Sequence, residues 1–193
     1  KKYYDENQSN TNFNEILNSN NHMLFLGQQE IGKTSLLYRL IVEYVDEFDI
    51  YKKIPVYIDF NNIKNKEFIT IIKEYTRLNT ECVKNILTKG NFIIFLDNIN
   101  YHESRNLGTQ INKLHNFYKD YPKVRIIGSY QHDNLEIIPT EVVNHCKIPF
   151  SYQFIRALKT KEIKLIMKQW LPSDDVLKTE EKLEKLVNTF SSY

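Results

Sequence analysis

Short unbroken apolar runs alternate along this chain with segments whose apolar residues recur every three or four positions. His22-Met-Leu-Phe-Leu26 is the first run and predicts a buried strand. Leu36, Leu37, Leu40, Ile41, Tyr44, Val45 and Phe48 then fall on helical spacing, predicting a helix that opens at Lys33 and runs to about Phe48. Ile54–Phe60 reads as a second strand, with Pro55 near its start, where a missing N–H costs least. Lys66–Leu78 predicts a helix with Phe68, Ile71, Ile72 and Tyr75 on one side, and Glu81–Lys89 a second, closed by Gly90. Asn91–Asp97 carries large consecutive apolar residues, as does a strand buried on both faces of a parallel sheet. Thr109–Tyr121 predicts a helix turning Ile111, Leu114, Phe117, Tyr118 and Tyr121 inward and stopped by Pro122. Val124–Ser129 is a fourth strand, 131–149 is irregular, and Gln153–Ala157 is the expected fifth strand.

Strands alternating with helices predict a parallel α/β sheet with right-handed crossovers and ligands at the strands' C-terminal edge. Before it, Lys1–Thr11 is a polar lead-in and Asn12–Leu17 a short amphipathic segment. After it, Thr160 and Thr179 are placed to cap two helices, with Glu162 in the first turn of one and Leu183, Leu186, Val187 and Phe190 buried by the other. The expected division is a lead-in over 1–21, a core over 22–158, and the start of a helical lid over 159–193.

The composition narrows the partners. The chain has 193 residues, 41% hydrophobic, with a formal net charge of +2. That is enough for one domain with a real core, and no global field attracts nucleic acid or an anionic membrane. Cys82 and Cys146 lie far apart without metal spacing, and are expected as buried small residues in a reducing compartment, the cytoplasm. The five histidines show no ligand spacing either. No apolar run approaches the ~20 residues of a membrane helix, and the polar N-terminus does not read as a signal peptide. The chain starts without methionine and stops inside a helical pattern, so a fragment of a longer protein is expected.

The candidate chemistry begins between the first strand and the first long helix. Gly27-Gln28-Gln29-Glu30-Ile31-Gly32-Lys33-Thr34 matches G-x-x-x-x-G-K-[ST], the phosphate-binding P-loop, and Ser35 follows. Its glycines free the backbone so that successive N–H groups can point at one phosphate. The helix opening at Lys33 adds its positive end. Lys33 is suited to the β and γ phosphates and Thr34 to Mg²⁺. Asp97, at the end of the third strand, is the expected second half: a carboxylate that holds Mg²⁺ directly or through water. The cofactors expected are therefore ATP or ADP with Mg²⁺. The segment before the first strand either covers the base or simply patches the sheet.

Four strings together resemble a STAND-type P-loop NTPase of the NACHT kind: Gly-x₄-Gly-Lys-Thr-Ser-Leu-Leu, Phe92-Ile-Ile-Phe-Leu-Asp-Asn-Ile-Asn100, Val124-Arg-Ile-Ile-Gly-Ser129, and Ile155-Arg-Ala-Leu-Lys-Thr-Lys-Glu-Ile163. The resemblance spans roughly Asn12–Phe190. It implies a five-stranded parallel core in the order 5-1-4-3-2 with a C-terminal helical lid. It also implies a nucleotide-gated switch that self-associates within the full-length protein, with sensor and effector domains outside this chain, in a defence or immune response. The sequence departs from that family at two places. The acidic residue expected after Asp97 is replaced by Asn98-Ile99-Asn100-Tyr101, with Glu103 the first carboxylate beyond. The arginine expected after Ser129 is Tyr130. Asn98 or Asn100 can orient a water, and Ser129 stands where a γ-phosphate sensor would, but an amide accepts a proton poorly. The expected activity is tight nucleotide binding with slow or absent hydrolysis, assigned to Lys33 and Asp97.

Other readings share the core. A pseudo-NTPase would bind nucleotide for stability alone. An initiator-type ATPase would associate with DNA through a basic face, which this charge balance does not favour for the fragment. A small-molecule kinase would need an acceptor pocket. A GTPase would need Asn-Lys-x-Asp after a strand, and Asn112-Lys113-Leu114-His115 fails at the last position.

Overall fold

The computed structural model describes residues 11–63, 66–99, 107–132, 147–159 and 161–162. In chain order the elements are α1 (Phe13–Asn18), β1 (His22–Gly27), α2 (Lys33–Asp46), α3 (Phe48–Tyr51), β2 (Ile54–Asp59), a 3₁₀ turn (Phe60–Asn62), α4 (Phe68–Thr76), α5 (Thr80–Lys89), β3 (Phe92–Ile99), α6 (Leu107–Asp120), β4 (Arg125–Gln131) and β5 (Phe150–Phe154). The five strands form one parallel sheet in the order β2-β3-β4-β1-β5. This is the expected 5-1-4-3-2 order, an α/β P-loop NTPase-like fold.

The side-chain period of two sorts each strand onto two layers. Val56, Ile58, Phe92, Ile94, Leu96, Leu24, Leu26 and Ile126 pack with α4, α5 and α6. Ile93, Phe95, Met23, Phe25 and Ile127 pack with Ile16 and Leu17 of α1 and Leu37, Leu40 and Tyr44 of α2. A sheet covered on both faces must be apolar on both, which is why β1 and β3 carry unbroken apolar runs.

Arg125, buried at the start of β4, anchors α1. Its guanidinium donates to Ile16 O at 2.6 Å, Leu17 O at 3.2 Å, Asn21 O at 3.0 Å and Tyr44 Oη at 2.5 Å. It thus satisfies carbonyls that the C-terminus of a helix leaves without partners. The other end of α1 closes with a capping box: Asn12 Oδ1 accepts from Glu15 N at 2.8 Å and Glu15 Oε2 from Asn12 N at 3.3 Å. Beside Arg125, His22 Nδ1 accepts from Ile126 N at 3.1 Å.

Several expectations need correction. The first long helix ends at Asp46, and Phe48 opens the separate α3. Val45 and Phe48 are 56% and 44% exposed, because only the Leu37/Leu40/Tyr44 stripe of α2 meets the sheet. Tyr75 is likewise exposed while Phe68 and Ile72 fill the core. Cys82 is exposed, since Val83 and Leu87 take the inner face of α5; Cys146 lies outside the described residues. The fifth strand starts three residues early, at Phe150, where pairing with His22 sets its register. It ends at Phe154 rather than Ala157.

The chain divides into two compact units, Lys1–Ile155 and Arg156–Tyr193. In the second, Glu162 is paired with Arg156 at 2.5 and 2.9 Å and accepts from Lys159 N at 2.7 Å. The Arg156 hydrogen bonds lead in drawing the Glu162 carboxyl down to about 2. The expected caps at Thr160 and Thr179 and the lid helices lie outside the described residues. Among the described residues no helix is long and apolar enough to cross a membrane.

Candidate functional site

The loop between β1 and α2 turns on two glycines. Gly27 is buried where β1 ends, and a Cβ there would stand 2.8 Å from Ile31 Cγ2 and 3.2 Å from Ile155 O. The loop can fold back over the strand only because that atom is missing. Gly32 takes φ 97°, a left-handed conformation that costs glycine little, and serves as the N-cap of α2 without a side-chain cap bond. The first-turn N–H groups of a 14-residue helix therefore open toward the loop's interior. Lys33 Nζ lies against the same loop, donating to Gly27 O at 2.8 Å and to Gln28 O.

A cavity of about 410 Å³ opens here. Gln29, Glu30, Gly32, Lys33, Thr34 and Ser35 form its loop wall. Asn61, from the turn after β2, and Asn98, Ser129 and Gln131, from the ends of β3 and β4, face them. This is the C-terminal edge of the sheet, where an open parallel sheet holds its ligands. Gly27, Gln28 and Ile31 support the wall rather than line it.

Asp97 lies at this edge, 1% exposed. Its Oδ2 accepts from Tyr57 Oη at 2.9 Å, and its Oδ1 accepts from Asn98 N at 3.0 Å and from Ser129 Oγ. Asn98 N is shared with Ser129 Oγ at 3.1 Å. Three donors thus satisfy the buried carboxylate. Burial, foremost, together with hydrogen bonds to Tyr38 and Asp97, pushes the Tyr57 phenol far above its ordinary pKa, so it remains a donor. The Tyr57 ring also stacks on Tyr38 of α2, centroids 5.1 Å apart.

Asn98 is presented by a break in the sheet. Leu96 pairs with Gly128 but Ile99 pairs with Tyr130, so β3 holds one residue more than β4 over this stretch. Asn98 takes φ 59° and is exposed, while Ile99 returns to the core. Such a bulge re-aims one side chain without disturbing those on either side.

The structure thus brings Lys33, Thr34, Ser35, Asn98 and Ser129 around one cavity with Asp97 beneath. Asn100 and Glu103 lie outside the described residues. Sequence reasoning missed Tyr57, Asn61 and Gln131. Tyr57 sits two residues before the end of its strand on the same face as Asp97, a relation visible only once β2 and β3 are paired.

The donor set suits a phosphate chain: helix N–H groups, one lysine and two hydroxyls. It also offers hard oxygens for Mg²⁺, in Thr34 and Asp97.

A family model described as AAA domain matches residues 19–154. Among solved structures, the replication initiator DnaA bound to AMPPCP and single-stranded DNA is similar at 12% identity and a TM-score of 0.54, over 91% of this chain and 56% of that one. AMPPCP-bound DnaA from Aquifex aeolicus is similar at 15% identity and a TM-score of 0.51, over 88% of this chain and 56% of that one. At these identities the likeness is one of fold, and the chain spans a little over half the length of each structure. No curated protein matches the sequence. A P-loop core of this topology, matched by the family model over most of its length, means that the chain belongs to the AAA domain family.

Proposed function

We propose that this chain is the nucleotide-binding ATPase module of a molecular switch, taking ATP or ADP with Mg²⁺. One observation carries the reading. The uncapped start of α2, with Lys33, Thr34 and Ser35, faces Asn98 and Ser129 across a single cavity. The α2 N–H groups and Lys33 would hold the phosphates, and Thr34 and Asp97 would hold Mg²⁺, Asp97 through a water because its oxygens already accept three hydrogen bonds. Bound Mg²⁺ would neutralise charge developing on the phosphate oxygens. Ser129, tied to Asp97, would report on the terminal phosphate.

The switch role, with self-association in the full-length protein and sensor and effector parts elsewhere, is supported by the four strings that resemble NACHT-type proteins. Likeness in fold to two DnaA structures, one holding single-stranded DNA, favours a second reading, an initiator-type ATPase acting on DNA.

Titration with a fluorescent ATP analogue, with and without Mg²⁺, tests the site. Saturable binding lost at least tenfold in Lys33→Ala is expected. Equal binding by wild type and Lys33→Ala would remove the cavity from consideration. DNA binding by the full-length protein that weakens steeply with salt would favour the second reading.

A further inference from the structure

The residue after Asp97 is an amide, and besides Glu30 on the loop wall the described lining of the cavity holds no carboxylate to accept the proton of an attacking water. The sheet supplies one from another strand. Asp59, the last residue of β2, is in direct register with Asp97. Registered residues on neighbouring parallel strands point to the same face, and Tyr57 proves the face by reaching Asp97 Oδ2.

The helix above gives an independent bearing. Tyr38 of α2 stacks on Tyr57 with ring planes 20° apart. One helical turn back toward the start of α2 is Thr34, about 5–6 Å along the axis. Two residues on along β2 is Asp59, about 6–7 Å along the strand. Both steps run toward the sheet's C-terminal edge, so Thr34 and Asp59 lie on the same side of the aromatic stack, level with the cavity.

The turn after β2, which Asp59 caps, reaches the cavity wall through Asn61. Asp59 is half-buried; its Oδ1 accepts from Asn61 N at 3.1 Å and its Oδ2 from Asn62 Nδ2 at 3.2 Å. Asn61 lines the cavity, while Phe60 and Ile63 pin the turn into the core. These hydrogen bonds are few and long compared with the three that enclose Asp97, which leaves Asp59 lone pairs to accept a proton.

We propose that Asp59 is the general base of this site. The proposal rests on the reading of the cavity as an ATP site. As the water oxygen forms its bond to the γ-phosphorus, its proton passes to the Asp59 carboxylate. The bond from that phosphorus to the β–γ bridging oxygen breaks, and ADP leaves with the electron pair. Inorganic phosphate is the other product, and Asp59 returns the proton to solvent.

The test uses the 193-residue chain, with fluorescent ATP-analogue titration and single-turnover phosphate release measured as a function of pH. Asp59→Asn and Asp59→Ser both retain a good cap for the turn but carry no base. Both should bind nucleotide within about threefold of wild type and release phosphate about a hundredfold or more slowly, the range of a lost general base. Phosphate release within threefold of wild type in either variant overturns the assignment while leaving the ATP site intact. Wild-type binding without measurable release also overturns it, as does failure of both variants to fold, which would make Asp59 a structural cap. Absence of wild-type binding would instead sink the ATP site itself, and the assignment with it.

Discussion

Tyr57 and Asp97 are joined across adjacent strands by a hydrogen bond of 2.9 Å, phenol to buried carboxylate. The bond links the layer under α2 to the floor of the cavity. Removing it in Tyr57→Phe should destabilise the fold by about 1.5–3 kcal/mol, the range for a hydrogen bond to a charged group. Urea unfolding at pH 7 checks this. An unchanged midpoint would mean that water replaces the phenol.

The same bond has an alkaline signature. Burial raises the Tyr57 pKa in the folded state, so above about pH 10 the folded chain holds a proton that the unfolded chain has lost. Stability from this group is complete below pH 10 and declines as pH rises beyond it. A stability curve from pH 8 to 11 should fall less steeply in Tyr57→Phe than in wild type.

His22 gives the opposite dependence. Burial, with the nearby Arg125 charge, lowers its pKa below the ordinary 6.5, and its Nδ1 is held as an acceptor by Ile126 N. The unfolded chain therefore takes up the proton first. Stability from this residue is present above pH 6.5 and lost as pH falls through the lowered value. His22→Gln should flatten the stability profile between pH 6.5 and 5, measured by thermal melting.

Gly32→Ala isolates backbone strain, because its φ is 97° and a Cβ there meets nothing within 4 Å. A cost of about 1–2 kcal/mol is expected from conformation alone. The loop can relieve that strain by turning its N–H groups away, so nucleotide affinity should fall as well. Gly27→Ala should be harsher, since its Cβ meets Ile31 and the Ile155 carbonyl. Parallel melts and analogue titrations of the two variants distinguish strain from overlap.

Much of the fold was legible because burial on both faces leaves little choice of residue. Ile93–Leu96 has no polar position, as a strand buried on both faces of a parallel sheet requires. The phosphate loop was legible because Gly27, Gly32, Lys33 and Thr34 each answer a separate demand. Two things were not. Helical spacing marks which residues share a face but not how wide the buried face is, so Val45 and Tyr75 were expected inside. The bulge at Asn98 left no sign, because asparagine at a strand end is common whether its φ is positive or negative. Tyr57 and Asp59 were hidden because their importance lies in register with β3, a long-range relation that local pattern does not encode.

Arg125→Ala should be the most destabilising change considered, about 3 kcal/mol or more. It strands the Ile16 carbonyl and removes one partner each from the Leu17 carbonyl and the Tyr44 hydroxyl, which keep only their bond to one another. Arg125→Lys should restore less than half of that, since a lysine cannot span the same fork of acceptors. Guanidinium chloride unfolding of both variants is the measurement.

The clasp at Arg125 also sets an order of events during folding. Its partners on α1 lie more than a hundred positions earlier in the chain, and β1 finds its sheet neighbour in β4 at the same remove. A six-residue helix has almost no stability alone, so α1 has nothing to hold it until β4 has arrived. The helix that comes earliest among the described elements is thus among the last to become permanent. Closing so long a loop places the domain among slow folders. Amide protons in α1 should gain protection from exchange only together with those of β4, and never ahead of them.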